Sequence, residues 1–380
     1  MRLAFFIFRY FPHGGLQRDF LNIAELCRNR GHDVLILTME WEGERPPGLD
    51  ITVVNIRNLT NHGRAVKFAQ IASSFLRDHQ IDVAVGFNKM PGLDVYYAGD
   101  PCYIERIRRK YPSGIETVLR LTPRYRNFRW LEQGVFHTSR STKILLLTAA
   151  EEQYYQQYYG TQPDRFYVLP PGILSDRLAP INRMSVRQEC RDRLGLTDQH
   201  LCLLLIGSAF KTKGLGRALY ALASLPRDLR RRTRLLAVGD SRIMRFRWLA
   251  RWLRVHDHVM WLPARDDIPE LIMGADALLH PAVCDATGGV ILEAMVGGLP
   301  VLTTEVSGFS TCVRKAQAGM VMPSPFQQEQ LNVALVDMLT SKKREMWSQN
   351  GQTFTQQQDL QKRFHQAADI IEATAKEKMC

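Results

Sequence analysis

Short runs of apolar residues alternate along the chain with longer stretches in which apolar positions recur every three or four residues. The short runs have the length of strands and the longer ones the helical period. Their regular alternation predicts parallel sheets covered by helices on both faces. In the first half the expected strands are Leu3–Phe8, Val34–Thr38, Ile51–Val54, Val83–Gly86, Lys143–Leu147 and Phe166–Leu169, with helices clearest at Leu16–Arg28 and Arg64–Arg77. The corner Leu169-Pro170-Pro171-Gly172 breaks any regular element, and the polar stretch up to Gln199 reads as a connection plus one helix. The alternation restarts at Leu201–Gly207, whose continuous apolar character suits a strand buried on both faces. Leu235–Gly239, Val259–Leu262, Ala277–His280 and Pro300–Thr303 follow as strands, with helices near Leu215–Ser224, Met244–Arg254, Ile268–Met273 and Ile291–Gly297. The last segment, Gln356–Lys378, is polar but sets Phe364, Ala368, Ile371 and Ala375 at helical spacing, which predicts a surface helix packed along one stripe.

This pattern gives an α/β chain of two Rossmann-like, doubly wound domains facing a central cleft. A domain over 1–171 and a second over 172–355 precede a C-terminal helix, 356–380, expected to pack back toward the first domain. A length of 380 residues agrees with two domains, since it exceeds what one hydrophobic core usually serves. Ligands of such sheets bind at the carboxyl ends of the strands.

Composition narrows the function classes. With 45% apolar and 23% charged residues, the chain is not disordered, collagen-like or coiled coil. A net charge of +12 favours anionic partners: nucleotides, phosphorylated glycans, anionic lipid or nucleic acid. Seven scattered cysteines without a Cys-x-x-Cys pair read as reduced thiols rather than a disulfide or zinc framework, and so place the chain in the cytoplasm. The apolar stretch Leu3–Phe8 is a strand rather than a leader, and no apolar run approaches the roughly 20 residues that span a bilayer. Any membrane contact is therefore expected to be peripheral.

Three strand-to-helix corners carry candidate chemistry. Pro12-His13-Gly14-Gly15-Leu16-Gln17-Arg18-Asp19 lets the backbone approach a phosphate at a helix start, although an ordinary β–α turn has the same appearance. Gly207-Ser208-Ala209-Phe210-Lys211-Thr212-Lys213-Gly214 offers a hydroxyl, two ammonium groups and free amides to a diphosphate, without meeting the Walker A spacing. Solvated loop lysines are the bland alternative there. The most specific stretch runs from His280 to Met295. Asp285 and Glu293, eight positions apart, flank Thr287-Gly288-Gly289-Val290 at the start of a helix. Amides near Gly288, Gly289 and Val290 are placed to receive an anion, and ionised carboxylates to accept hydrogen bonds from ribose and sugar hydroxyls.

In this setting the sequence resembles the retaining, GT-B-fold glycosyltransferases of family 4, whose signature is a pair of Glu residues separated by seven others. Tyr10–Phe20, Trp41-Glu42-Gly43, Thr60–Arg64, Gly86–Tyr96, Leu169–Ile173 and Leu299–Thr304 extend the resemblance over the whole chain and point within that family to the lipopolysaccharide core glucosyltransferases. The resemblance implies transfer of glucose from UDP-glucose, with retention, to an inner-core heptose on the cytoplasmic face of the inner membrane. By the same resemblance Glu293, Lys213, Gly15 and Asp19 match the family's site, Arg265 lies where the nucleobase is held, and Asp100 lies on the N-domain side of the cleft. Two positions depart from the pattern. Asp285 replaces the first Glu and is one methylene shorter, and Thr212 stands where an arginine is expected, which leaves Lys211 to supply that charge. No Asp-x-Asp occurs, so no metal is expected, and Lys213 with the helix-end amides is expected to neutralise the leaving UDP. Asp19 and Asp100 are the acidic candidates beside it.

The segment Tyr103–Trp130 holds Arg106, Arg108, Arg109, Lys110, Arg120, Arg124, Arg126 and Arg129 against Glu105 and Glu116, interleaved with aromatics up to Trp130. That combination suits an anionic membrane surface. Arg227–Arg254 contains ten arginines and reads equally well as a solvated face or a second lipid contact. A nucleic-acid binder is the competing class; helix-turn-helix, zinc and RNP-like signatures are all lacking, and nucleic acid is not an expected partner.

Overall fold

The structure is a computed structural model describing residues 1–178, 183–239 and 243–379. The chain forms two compact units: residues 1–170 with 362–380, and residues 171–361. Each unit is built on one parallel sheet.

Among the described residues of the first unit, the sheet orders β1 (Arg2–Tyr10), β2 (Asp33–Trp41), β3 (Asp50–Val53), β4 (Val83–Gly86), β5 (Val95–Ala98), β6 (Lys143–Leu146) and β7 (Phe166–Val168) as β3-β2-β1-β4-β5-β6-β7, every pair parallel. Alternate residues of β1 serve opposite cores. Ala4 and Phe6 pack with Phe68, Ala72 and Phe75 of the helix Asn61–Asp78. On the other face Phe5 meets Phe20 of the helix Gly15–Asn29 edge to face, at 6.1 Å between ring centroids. Thr60 caps the helix Asn61–Asp78 by accepting from the Gly63 N–H at 3.2 Å.

The C-terminal helix, Lys362–Met379, belongs to this unit. Phe364, Ala368, Ile371 and Ala375 are all buried, as their spacing predicts. Charges on its flanks tie it down: Arg30 reaches Asp369 (2.7 Å) and Glu372 (3.0 Å), and Lys143 reaches Glu377 (2.7 Å). Residues 356–361 do not join that helix. Gln356 ends the preceding helix, Arg344–Gln356, and Leu360 O accepts from the Ile173 N–H at 3.1 Å within the second unit.

The second sheet orders β8 (Leu201–Ile206), β9 (Thr233–Val238), β10 (Val259–Leu262), β11 (Ala277–His280), β12 (Val301–Thr304) and β13 (Gly319–Met322) as β10-β9-β8-β11-β12-β13, again all parallel. Leu203, Leu205, Leu235, Ala237 and Leu279 face one core with Leu215, Leu219 and Leu222 of the helix Leu215–Ser224. Leu204, Leu236 and Leu278 face the other, with Ile291, Leu292 and Met295 of the helix Gly289–Val296. The polar connection contains the helix Arg183–Arg193, with residues 179–182 of the connection outside the described set.

Two strands exceed the expectation. β5 is four buried residues hemmed by Gly92 and Asp94 before it and Gly99 and Asp100 after it, so its signal is masked by turn residues on both sides. β13 opens on Gly319, where a Cβ would lie 2.0 Å from Val301 O; the close pairing needs the residue that sequence reading treats as a breaker.

Candidate active site

In the second sheet β8 lies between β9 and β11, so the loops leaving β8 and β11 start side by side at the topological switch point. Backbone and side-chain contacts lock the two loops together. The Val283 N–H donates to Thr212 O at 2.7 Å, and Arg217 Nη1 donates to Ala282 O at 2.7 Å. Gly214 has φ +81°, and a Cβ on it would lie 1.9 Å from Pro281 O, so no other residue fits that approach.

The result is a buried charge cluster. Lys213 Nζ donates to Asp285 Oδ2 at 2.6 Å, and His280 Nε2 lies 2.8 Å from the same oxygen. The three side chains are 22%, 7% and 0% exposed, respectively. Burial by itself would raise the Asp285 carboxyl; the Lys213 ammonium and the His280 hydrogen bond outweigh it and hold Asp285 well below the usual carboxylate range. Burial lowers the His280 pKa despite Asp285 beside it, so the ring is neutral and donates its Nε2 proton, while Nδ1 has no hydrogen-bond partner among the described residues. Asp285 is thereby kept ionised and fixed in orientation.

Directly after this loop Gly288, at φ +72°, caps the helix Gly289–Val296. The helix start offers the amides of Gly289 and Val290, with half-buried Glu293 one turn in. Lys213, Asp285, Gly288, Gly289, Val290 and Glu293 thus gather at one end of the sheet. Ser208 and Lys211 are exposed on the β8 loop. Arg265 follows β10 at the sheet edge and is held bidentate by Asp267, Nε and Nη2 each donating at 2.6 Å.

In the first unit Gly14 caps the helix after β1, and a Cβ there would meet Gln17 Oε1 at 2.0 Å; Gly15 faces open space. Asp19 is buried and engaged. Tyr97 Oη donates to it at 2.8 Å, and Arg363 Nη2 lies 3.0 and 3.2 Å from its two oxygens. Asp100 is exposed after β5, where its backbone carbonyl accepts from Tyr155 Oη at 3.2 Å.

The basic segment forms the helices Tyr103–Lys110, Ser113–Arg120 and Pro123–Phe136. Some of its cations have partners: Arg108 and Arg120 both reach Glu116, Arg109 pairs with Glu105, and Arg106, Lys110 and Arg124 lie over the rings of Tyr103, Tyr111 and Phe128. Arg126, Arg129 and Trp130 are exposed, as are Ile115, Val118 and Leu121. Buried Glu132 pins the segment by accepting from the Tyr103 N–H (2.7 Å) and from Lys89 Nζ (2.6 Å). Of the second arginine cluster, Asp240 and Arg242 lie outside the described residues.

His280, Tyr97, Arg363 and Glu132 escape sequence reading. His280 is a lone histidine at a strand end, and Arg363 is 344 residues away from the carboxylate it meets. Among the described residues no group of three or more His, Cys, Asp or Glu side chains is placed to hold a metal, and no helix is long and apolar enough to cross a membrane.

Two parallel-sheet, Rossmann-like units are the architecture of the GT-B glycosyltransferases, and the chain belongs to that class. Residues 13–177 match Glycosyltransferase Family 4, and residues 186–354 match Glycosyl transferases group 1. The chain is 42% identical over 372 residues, 98% of both chains, to the lipopolysaccharide glucosyltransferase WaaG of Escherichia coli (strain K12). The crystal structure of WaaG, a glycosyltransferase involved in lipopolysaccharide biosynthesis, superposes with a TM-score of 0.93 over 97% of this chain and 99% of that one. Anabaena HepE in complex with UDP-glucose shares the fold at a TM-score of 0.72, with 17% identity, over 99% of this chain and all of that one.

Proposed function

We propose that the enzyme transfers glucose from UDP-glucose, with retention, to an inner-core heptose of lipopolysaccharide. The observation that carries this reading is the 42% identity to a lipopolysaccharide glucosyltransferase along nearly the whole of both chains, donor-side and N-terminal units alike. In this reading Glu293 accepts hydrogen bonds from the ribose, and Asp285, kept ionised by Lys213 and His280, orients hydroxyls of the hexose. Lys213 and the amides of Gly288, Gly289 and Val290 neutralise the charge that develops on UDP as the C1–O bond breaks, which makes a divalent ion unnecessary. Lys211 and Ser208 complete the phosphate side within this unit, and Arg265 turns from Asp267 to the base. The acceptor hydroxyl attacks from the face the phosphate leaves and gives its proton to that phosphate. In this reading Asp19, paired with Arg363, anchors the C-terminal helix, and Asp100 orients the acceptor.

The lipid-linked acceptor calls for docking on the anionic cytoplasmic face of the inner membrane, which the exposed Arg124, Arg126, Arg129 and Trp130 with Ile115, Val118 and Leu121 suit. A second reading, another hexose as donor, is favoured by one observation: Asp285 is a methylene shorter than the Glu of the family signature. A screen of UDP-hexoses against heptose-terminated lipopolysaccharide in excess chelator tests both. UDP release with UDP-glucose far above the other donors supports the first reading, a preference for another UDP-hexose supports the second, and activity that returns only with Mg²⁺ or Mn²⁺ overturns the metal-free mechanism.

A further inference from the structure

The helix Met244–Trp252 is apolar on two opposite faces. Phe246 and Ala250, 6% and 0% exposed, turn inward, with Leu249 and Leu253 packed beside them against the core. At about 100° per residue, Met244, Trp248 and Trp252 recur at i, i+4 and i+8 along the pole opposite that core. They are 61%, 64% and 72% exposed. Arg247 and Arg251 run along one side of this stripe and Arg245 along the other, and Arg254 follows the helix; all four are exposed. The helix contains no acidic residue.

The solvent pole of a surface helix is ordinarily polar. Two exposed indoles in line, flanked on both sides by arginines, are instead the composition of a helix that lies in a headgroup layer: the rings take the interface, and the guanidinium groups take the phosphates. We propose that this face is a second docking surface for an anionic lipid bilayer, carried by the nucleotide-sugar-binding unit. It is independent of the docking assigned to the N-terminal helices. Charge complementarity selects this occupant. A second copy of the chain would bring four like charges and a net charge of +12 against the same helix, whereas an anionic bilayer meets every arginine with an opposite charge.

The test uses the full chain with phosphatidylcholine vesicles, with and without phosphatidylglycerol. Wild type is compared with Trp248→Ser/Trp252→Ser, Arg247→Gln/Arg251→Gln and Trp130→Phe. Brominated lipid should quench part of the wild-type tryptophan fluorescence in anionic vesicles, and this quenching should persist in Trp130→Phe but fall in the Trp248/Trp252 variant. Vesicle binding should drop about tenfold or more when the two indoles are lost. It should drop about thirtyfold when the two arginines are neutralised, at about 1 kcal/mol per lost cation, and only in anionic vesicles. Melting temperature and turnover on a soluble acceptor fragment should stay at wild-type values. Unchanged binding and quenching in the Trp248/Trp252 variant would overturn the proposal, whether or not the N-terminal helices dock. So would concentration-dependent dimers, or oligonucleotide binding, that the same variant abolishes without any change in vesicle binding.

Discussion

Lys213→Met removes the charge from the cluster while keeping an aliphatic stem to lie over Gly207, whose missing Cβ makes room for it. Asp285, 7% exposed, then retains the His280 N–H but no cation. Removing one partner of a buried ion pair costs about 3–5 kcal/mol. Because Lys213 is 22% exposed and the histidine bond survives, the lower end of about 3 kcal/mol is expected. For a unit of this size each kcal/mol moves the melting temperature by about 2–4 °C, so the second unit should melt about 6–12 °C lower at neutral pH. The pH dependence has a definite sign. The folded-state pKa of Asp285 is depressed, so its contribution is present above the ordinary carboxylate value and lost only as pH falls through the depressed one. In Lys213→Met burial dominates, the carboxyl rises to or above its ordinary value, and the folded mutant takes up a proton in mild acid. The stability gap to wild type should therefore narrow as pH falls. Calorimetric melts of wild type, Lys213→Met, Asp285→Asn and the double variant check this, with the double variant recovering most of the loss. A single mutant within about 0.5 kcal/mol of wild type, or a gap that widens in acid, refutes the assignment.

Isothermal calorimetry should find that Glu293→Ala weakens UDP binding whereas Asp285→Ala spares it and lowers turnover; equal UDP affinities would refute the division of roles. Arg124→Glu/Arg126→Glu/Arg129→Glu, which leaves the Arg120–Glu116 pair intact, should lower co-sedimentation with anionic liposomes by two or more orders of magnitude at about 1 kcal/mol per lost cation. Unchanged co-sedimentation of the folded triple variant would move the membrane contact elsewhere. Arg363→Met should leave the Asp19 carboxylate buried without its cation and destabilise the first unit by about 3–5 kcal/mol in a thermal melt, with UDP affinity unaltered. A melt like that of wild type would release Asp19 for a direct part in the chemistry.

The paired sheets are legible because parallel strands buried on both faces, such as Leu201–Ile206, leave continuous apolar runs that turn residues bound. The Asp285 loop is legible because glycines, carboxylates and a helix start fall within one short stretch. What joins the pieces is not. Lys213, in the loop after β8, meets Asp285, in the loop after β11, only because β8 and β11 are neighbours across the switch point, and no local pattern records strand order. Asp19 has the appearance of an acid at a helix start until the helix Lys362–Met379 lays Arg363 against it. The exposed stripe Met244, Trp248, Trp252 is written in the sequence at helical spacing, but which face turns inward is decided by Phe246 and Ala250, and only packing reveals it.

Incubation of the protein with UDP-glucose and heptose-terminated lipopolysaccharide, followed by mass spectrometry and NMR of the glycan, is the most direct test of the assigned activity. Wild type should add one hexose to the heptose, an α-linked glucose made with release of UDP, and Glu293→Ala should add little or none at the same donor concentration. A β-linked product, addition elsewhere than on the inner core, or no transfer from a folded enzyme that binds UDP would contradict it.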